Sequence, residues 1–319
     1  MTRRIPVKKL LTITLCLLVL CTGCTDTMQK SADHAANAPV TAQDDRTTAA
    51  AESATAKTEP ATSPYTKLPL LTARTVEPGD PQNTAGRKTQ RQEHSFGVSD
   101  GSAPHEISVA AQTYFSEHGF PAIVYDANAT EKVLYLTFDC GWENGCTGDI
   151  LDVLREKNVP AAFFCTLDHI RSSPELIARM IREGHIVGNH STTHPDFSTL
   201  SRARMAQELL TCENELRTQF GYYSPYFRFP MGAYNENALE LVGELGYTAV
   251  FWSAAYEDWD TEQQRGADYA FDTVTARLHP GAILLLHSVS TDNALALGRI
   301  IDHARAQGYA FRPLTAFGN

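Results

Sequence analysis

Between residues 133 and 307, short apolar runs rich in β-formers alternate with stretches of helical period. Residues 133–138, 161–165, 186–189, 226–229, 248–252 and 281–286 read as strands. Residues 147–157, 174–183, 201–220, 235–244, 267–278 and 292–307 read as helices, the second with Pro174 at its first position. Two strands that run the same way need a long crossover between them, and a helix supplies it. The pattern therefore dictates an α/β fold with a parallel sheet and right-handed crossovers, either open or closed into a barrel. Residues 106–319 are enough for one such domain, and they contain no internal repeat.

The first hundred residues do not share this pattern. Arg3, Arg4, Lys8 and Lys9 precede a 12-residue apolar run, 10–21, and then the small pair Thr22-Gly23. That run is too short to cross a hydrocarbon layer of ~30 Å as an ordinary helix. A basic start, a short apolar core and small residues before a cut describe a secretory signal peptide over residues 1–24. The following Cys24 resembles the lipidated cysteine of a bacterial lipobox, although Cys21 stands where a Leu is usual. Lipidation of Cys24 would anchor an exported protein at the outer face of the cell membrane; simple cleavage would release it. Of the 40 residues 25–64, 19 are Ala or Thr, and none is Leu, Ile, Phe, Tyr or Trp. Such a segment cannot bury enough apolar area to offset its chain entropy. Residues 25–105 are accordingly expected to be a disordered tether with a reach of roughly 50 Å.

Charge narrows the partners. The chain carries 27 Lys+Arg against 37 Asp+Glu, a net charge of -10, which becomes -14 without the basic residues of the signal. An overall acidic field excludes general nucleic-acid binding.

In parallel α/β folds the carboxyl ends of the strands carry the chemistry. The polar residues there are Asp139 and Cys140, His190 and His194, Arg228 followed by Pro230 and Gly232, Asp258 with Trp259, and His287. His190 and His194 are separated by three hydroxyl residues and followed by Pro195, which argues for a loop rather than a helix face. No Glu adjoins His190, so this is not the zinc-protease arrangement and a base must come from elsewhere. A catalytic zinc takes three protein ligands and leaves a position for water, and Asp139 and Cys140 are the adjoining further donors. A carboxylate can take the proton of the attacking water, and His287, oriented and held charged by Asp258, can protonate a leaving group. The set describes metal-assisted hydrolysis of an amide or ester.

The ordered segments Thr137-Phe-Asp139, His190-Ser-Thr-Thr-His194, Arg228-Phe-Pro-Met-Gly232, Asp258-Trp259 and Leu285-Leu-His287 resemble the polysaccharide deacetylase family (NodB-homology domain, carbohydrate esterase family 4). Within it, YLTFDCGWENG (135–145), EGHIVGNHSTTHP (183–195), FWSAAYEDW (251–259) and HPGAILLLHSVSTDNA (279–294) are most similar to the delta-lactam-biosynthetic de-N-acetylases, the muramic-acid deacetylases of spore peptidoglycan. The resemblance covers about residues 120–315. It implies a deformed, incomplete (β/α) barrel and a divalent metal, zinc by default, with manganese or cobalt as alternatives. It further implies Asp139 as base, His190 and His194 as metal ligands, and Arg228 as the holder of the base. The backbone N–H of Met231, beside Pro230, becomes an oxyanion donor, and His287 the acid with Asp258 as its partner.

Two positions depart from the family pattern. A second metal-binding Asp is replaced by Cys140, which either ligates as a thiolate, pairs with Cys146 in a disulfide, or is only a neighbour. The first Asp of the Asp-x-x-Asp-Trp motif is Ala255. The implied substrate is the acetamide of N-acetylmuramic acid in peptidoglycan glycan strands, acted on by a monomer. The alternatives are an N-acetylglucosamine polymer, an acetylated xylan, or a catalytically silent glycan-binding lipoprotein. Trp142 is expected as a sugar platform and Trp252 as core. Arg171, Arg265 and Arg299 are candidates to meet the muramic carboxylate. Cys165 and Cys212 read as buried thiols, His185 and His279 as structural, and Asp168-His169 as a possible substrate contact.

Overall fold

The computed structural model describes residues 82–99 and 103–318. The signal peptide, Cys24 and residues 25–81 lie outside the described residues. In chain order the elements are β1 (Gln92–Glu93), α1 (Glu106–Glu117), β2 (Ala122–Ile123), β3 (Val133–Cys140), α2 (Thr147–Lys157), β4 (Ala161–Cys165), α3 (Leu167–Ser172), α4 (Pro174–Arg182) and β5 (Ile186–Asn189). There follow α5 (Arg202–Phe220), β6 (Tyr226–Phe227), β7 (Ala233–Tyr234), α6 (Glu236–Glu244), β8 (Thr248–Val250), α7 (Ala267–Thr275), β9 (Ala282–His287), α8 (Thr291–Ala306) and β10 (Ala310–Phe311). Among the described residues no helix is long and apolar enough to cross a membrane.

The main sheet is parallel throughout, in the order β10-β3-β4-β5-β6-β8-β2, with β9 also paired to β3. β3 is buried along its whole length, and its register with β9 sets Asp139 beside His287. Side chains alternate across a strand. Val133 and Tyr135 accordingly join Phe164, Trp252, Ile283 and Leu285 in the inner core. Leu134, Leu136, Phe138 and Cys140 face the other way, into a core shared with Ile150, Leu154, Leu297 and Ile300 of the helices. The ring is nearly closed past β8, where Ala254 bridges Leu284 of β9 and the Leu285 N–H donates to the Ala254 carbonyl at 2.9 Å. One bridge in place of a paired strand makes this a deformed, incomplete (β/α) barrel.

Helix starts fix where the strand ends are delivered. Thr166, Ser201, Asn235 and Ser290 cap α3, α5, α6 and α8, each accepting from a backbone N–H three residues on. β6 ends early because Pro230 has no N–H to pair and Met231 takes a left-handed φ of 57°. α1 was not legible: only Ser108 and Phe115 are buried along it, so its apolar face is too thin to show a period.

The start of the folded unit also differs from expectation. Residues 87–99, read above as tether, pack onto the domain. β1 pairs antiparallel with β7, the His94 N–H donates to the Gly232 carbonyl at 2.9 Å, and Arg87 and Arg91 form ion pairs with Glu240 and Asp196. Backbone pairing holds this strap, and composition does not report it.

Gly281 precedes β9 at φ +77°, and a Cβ there would stand 2.3 Å from the Asp126 carbonyl oxygen. Gly281→Ala is expected to lose about 2–4 kcal/mol. In thermal unfolding followed by circular dichroism, that lowers the midpoint by roughly 5–15 °C. Gly145→Ala, also left-handed but with open space around it, should lose only about 1 kcal/mol.

Candidate active site

The polar strand ends converge on a cavity of about 870 Å³ lined by Asp139, Trp142, His190, His194, Met231, Trp259 and His287, among others. The strap reaches it too, through Glu93, His94, Ser95 and Phe96. The volume suits a ligand of one to a few sugar rings. Trp142, Met231 and Trp259 are about half exposed and form an apolar rim.

Asp139 is nearly buried, and Arg228 is fully so. Arg228 Nη1 donates to Asp139 Oδ1 at 2.8 Å, its Nη2 to Thr137 Oγ1 at 2.9 Å, and its Nε to the Val250 carbonyl at 2.8 Å. Burial alone would raise the Asp139 pKa, but Arg228, His190 and His287 together hold it below the usual carboxylate range. Asp139 is therefore ionised at neutral pH.

His190 donates through Nδ1 to the Arg228 carbonyl at 2.9 Å, which leaves Nε2 as the lone-pair nitrogen, 3.5 Å from Asp139 Oδ2. Its ring and that of His194 lie 4.9 Å apart at 74°. The intervening loop is not helical: Ser191 and His194 have φ of 72° and 55°. The buried Glu208 carboxylate holds it, accepting from the Thr192 and Thr193 N–H groups at 3.0 and 2.7 Å. Burial lowers the His190 pKa to about 4 and lowers that of His194 as well. Two neutral imidazoles aimed beside an ionised carboxylate fit a divalent metal, because a ligating imidazole must be neutral.

Across the cavity, His287 Nδ1 donates to Asp258 Oδ1 at 2.6 Å, and the Asp258 Oδ2 accepts from the His287 N–H at 2.8 Å and from Asn293 Nδ2 at 2.5 Å. Burial opposes charging of His287, but Asp258 and Asp139 overcome it and raise its pKa above the ordinary imidazole value. The site thus sets an ionised carboxylate and a proton-bearing imidazole against one another, the arrangement that acid–base chemistry requires.

The structure gathers Asp139, Arg228, His190, His194, Met231, Asp258 and His287 as the sequence suggested, with Pro230 buried beneath Met231. It does not bring Cys140 to the histidine pair. Cys140 follows Asp139 on a strand and so points to the opposite face, into the helix-covered core beside Cys165. It is a free thiol, as is Cys146, whose Sγ donates to the Asn144 carbonyl instead. Trp252 is buried, and its ring lies 5.7 Å from the Arg228 guanidinium. Asp168 lines the cavity, whereas His169 is fully buried. Arg171 and Arg299 are engaged by Glu215 and Asp268, Arg265 by Tyr269, and none lines the cavity. Thr137, Glu208 and Asn293 were missed; each acts by positioning another side chain, and no local pattern marks that.

The sequence matches the family model described as polysaccharide deacetylase over residues 126–250. It is 44% identical over 191 residues to the peptidoglycan-N-acetylmuramic acid deacetylase PdaA of Bacillus subtilis, covering 60% of this chain and 73% of that protein. It is 36% identical to a chitooligosaccharide deacetylase of a Bradyrhizobium strain, over 59% of this chain and 91% of the relative. In three dimensions it is similar to the solved structure of Bacillus subtilis PdaA, a family 4 carbohydrate esterase, with a TM-score of 0.69, 38% identity, and coverage of 72% of this chain and 97% of that one.

Replacing Asp258 by Asn removes the charge that raises the His287 pKa and leaves burial, which lowers it. The His287 pKa should then fall. A proton NMR titration of the imidazoles checks this, with the other histidines as internal controls.

Proposed function

The chain belongs to the polysaccharide deacetylase family and is a hydrolase of carbon–nitrogen bonds in acetylated glycan; on that premise we propose that it removes the acetyl group from N-acetylmuramic acid in peptidoglycan. The deacetylation itself is carried by one observation, Asp139 held by Arg228 and His287 held by Asp258 beside a cavity that His190 and His194 also line. His190 and His194 would hold the divalent ion, with zinc the default for imidazole ligands. When bound, the ion supplies Lewis-acid polarisation of the acetamide and of a water.

Asp139, kept ionised by Arg228, takes the proton of the attacking water. The Met231 backbone N–H, at the tight turn after Pro230, is assigned to the tetrahedral oxyanion. His287 gives its proton to the departing nitrogen, while Asp258 stabilises the imidazolium until then. The products are acetate and an amine. Where the muramic lactyl group is free of peptide, that amine can condense with its carboxyl, with loss of water, to a delta-lactam. Trp142 and Trp259 would stack on sugar faces at the rim. Export as a lipoprotein anchored at Cys24 belongs to the same proposal.

A second reading has an observation in its favour. Among the described residues the cavity wall carries no Lys or Arg, so a neutral N-acetylglucosamine residue meets no missing counter-charge there. The 44% identity to a muramic-acid deacetylase supports the first reading over it.

Purified protein should release acetate from peptide-free glycan strands, and a chelator should stop it. Asp139→Asn should lose at least about 10³-fold in kcat while still binding the metal; full activity in that variant would sink the mechanism. Mass spectrometry of digested strands should show muramic lactam or free muramic amine. Deacetylated glucosamine alone would select the second reading.

A further inference from the structure

On the helix-facing side of β3, behind Asp139, thiols and an imidazole meet in a place the deacetylation does not use. Cys140 and Cys165 are register partners on the neighbouring strands β3 and β4, so their side chains leave the sheet side by side on one face. His169 lies in the first turn of α3, whose start is fixed by the Thr166 cap immediately after β4. One ligand atom from each of Cys140, Cys165 and His169 lies within 4.8 Å of the other two. All three residues are completely buried, and both thiols are free.

The imidazole is the telling member. Neither ring nitrogen of His169 has a hydrogen-bond partner. The Trp142 carbonyl faces the ring without closing a bond of normal geometry. Leaving a buried polar group unmatched is costly, and the other buried histidines with structural parts avoid it at least in part. His185 Nδ1 accepts from the Ala161 N–H at 3.2 Å, and His279 Nε2 meets Ser253 Oγ at 2.9 Å. His169 instead sets a ring nitrogen within 4.8 Å of both thiol sulfurs. The Cys212 thiol of α5 lies outside this cluster and donates through Sγ to the Cys165 carbonyl at 3.6 Å.

We propose that Cys140, Cys165 and His169 form a second metal site, separate from His190 and His194, that takes a thiophilic divalent ion of the zinc class. Two sulfurs and one imidazole are a donor set that holds zinc with the fourth position left to a further ligand. Tetrahedral zinc sets such donor atoms roughly 3.5–3.8 Å apart, so the cluster, now within 4.8 Å, closes on an ion by contracting at most about 1.3 Å. Binding releases the thiol protons to solvent. None of the three residues lines the cavity and all are fully buried, so the ion enters as the chain folds, and its binding free energy adds to folding. It ties the carboxyl ends of β3 and β4, which carry Asp139 and the loop to α3.

The test uses the full chain refolded from denaturant in cobalt(II). A site with cysteine ligands gives an intense thiolate-to-cobalt charge-transfer band in the near ultraviolet, which a histidine and carboxylate site does not. The wild-type protein should show that band and a second equivalent of cobalt by elemental analysis. The double variant His190→Ala, His194→Ala should lose one equivalent and keep the band. Cys140→Ser and His169→Ala should each lose the other equivalent and most of the band, with Cys146→Ser unchanged. A wild-type protein that binds one equivalent without the band would overturn the proposal, whatever the variants do. So would a native protein whose intact mass and peptide map place a disulfide between Cys140 and Cys165.

Discussion

The pairing of Arg228 with Asp139 is the constraint on which the rest of the molecule depends. A guanidinium with no solvent exposure must have nearly all its donors satisfied, because it cannot shed its charge. The fold answers with Asp139 and Thr137 of β3 and with the backbone carbonyls of Val250 and Phe251 at the end of β8. The Phe164 ring of β4 covers the remaining face at 4.2 Å. One side chain thus ties together the ends of β3, β4 and β8. Removing a partner from such a pair costs about 3–5 kcal/mol. The same contact keeps Asp139 ionised, so folding and base strength have one cause.

His287 is held by the complementary device. Asp258 places both oxygens on His287, one on the ring and one on its backbone N–H, and Asn293 fixes the carboxylate from behind. Two carboxylates therefore do opposite things. In the proposed reaction Asp139, beside a fixed cation, would serve as the base, and Asp258 would make the imidazole beside it the acid. The register of β3 with β9 sets the two halves next to each other. Their common substrate space is the cavity between them, walled by the strap on one side and rimmed by Trp142, Met231 and Trp259.

Much of this was legible in the sequence, for a physical reason. Buried parallel strands need continuous apolar runs and helices need a period, so residues 161–165, 186–189 and 147–157 could be bounded correctly. The strand-end polar residues could be gathered because parallel topology puts strand ends on one side. Adjacency in sequence could not decide among the three alternatives for Cys140: it follows Asp139 on a strand and for that reason faces away from it, into the helix-side core. The strap at 87–99 is held by backbone pairing with β7, and α1 buries too little to show an apolar stripe. Thr137, Glu208 and Asn293 act through other side chains across long sequence separations, 91 residues in the case of Thr137 and Arg228.

The central claim is that Asp139 is held ionised and His287 held protonated over the same pH range. It is tested most directly by the pH dependence of kcat/KM for acetate release from peptide-free glycan strands at saturating metal. The account predicts a bell whose alkaline limb lies above the ordinary imidazole value. A rate that keeps rising through the alkaline range, or an alkaline limb that stays where it is in Asp258→Asn, would contradict it.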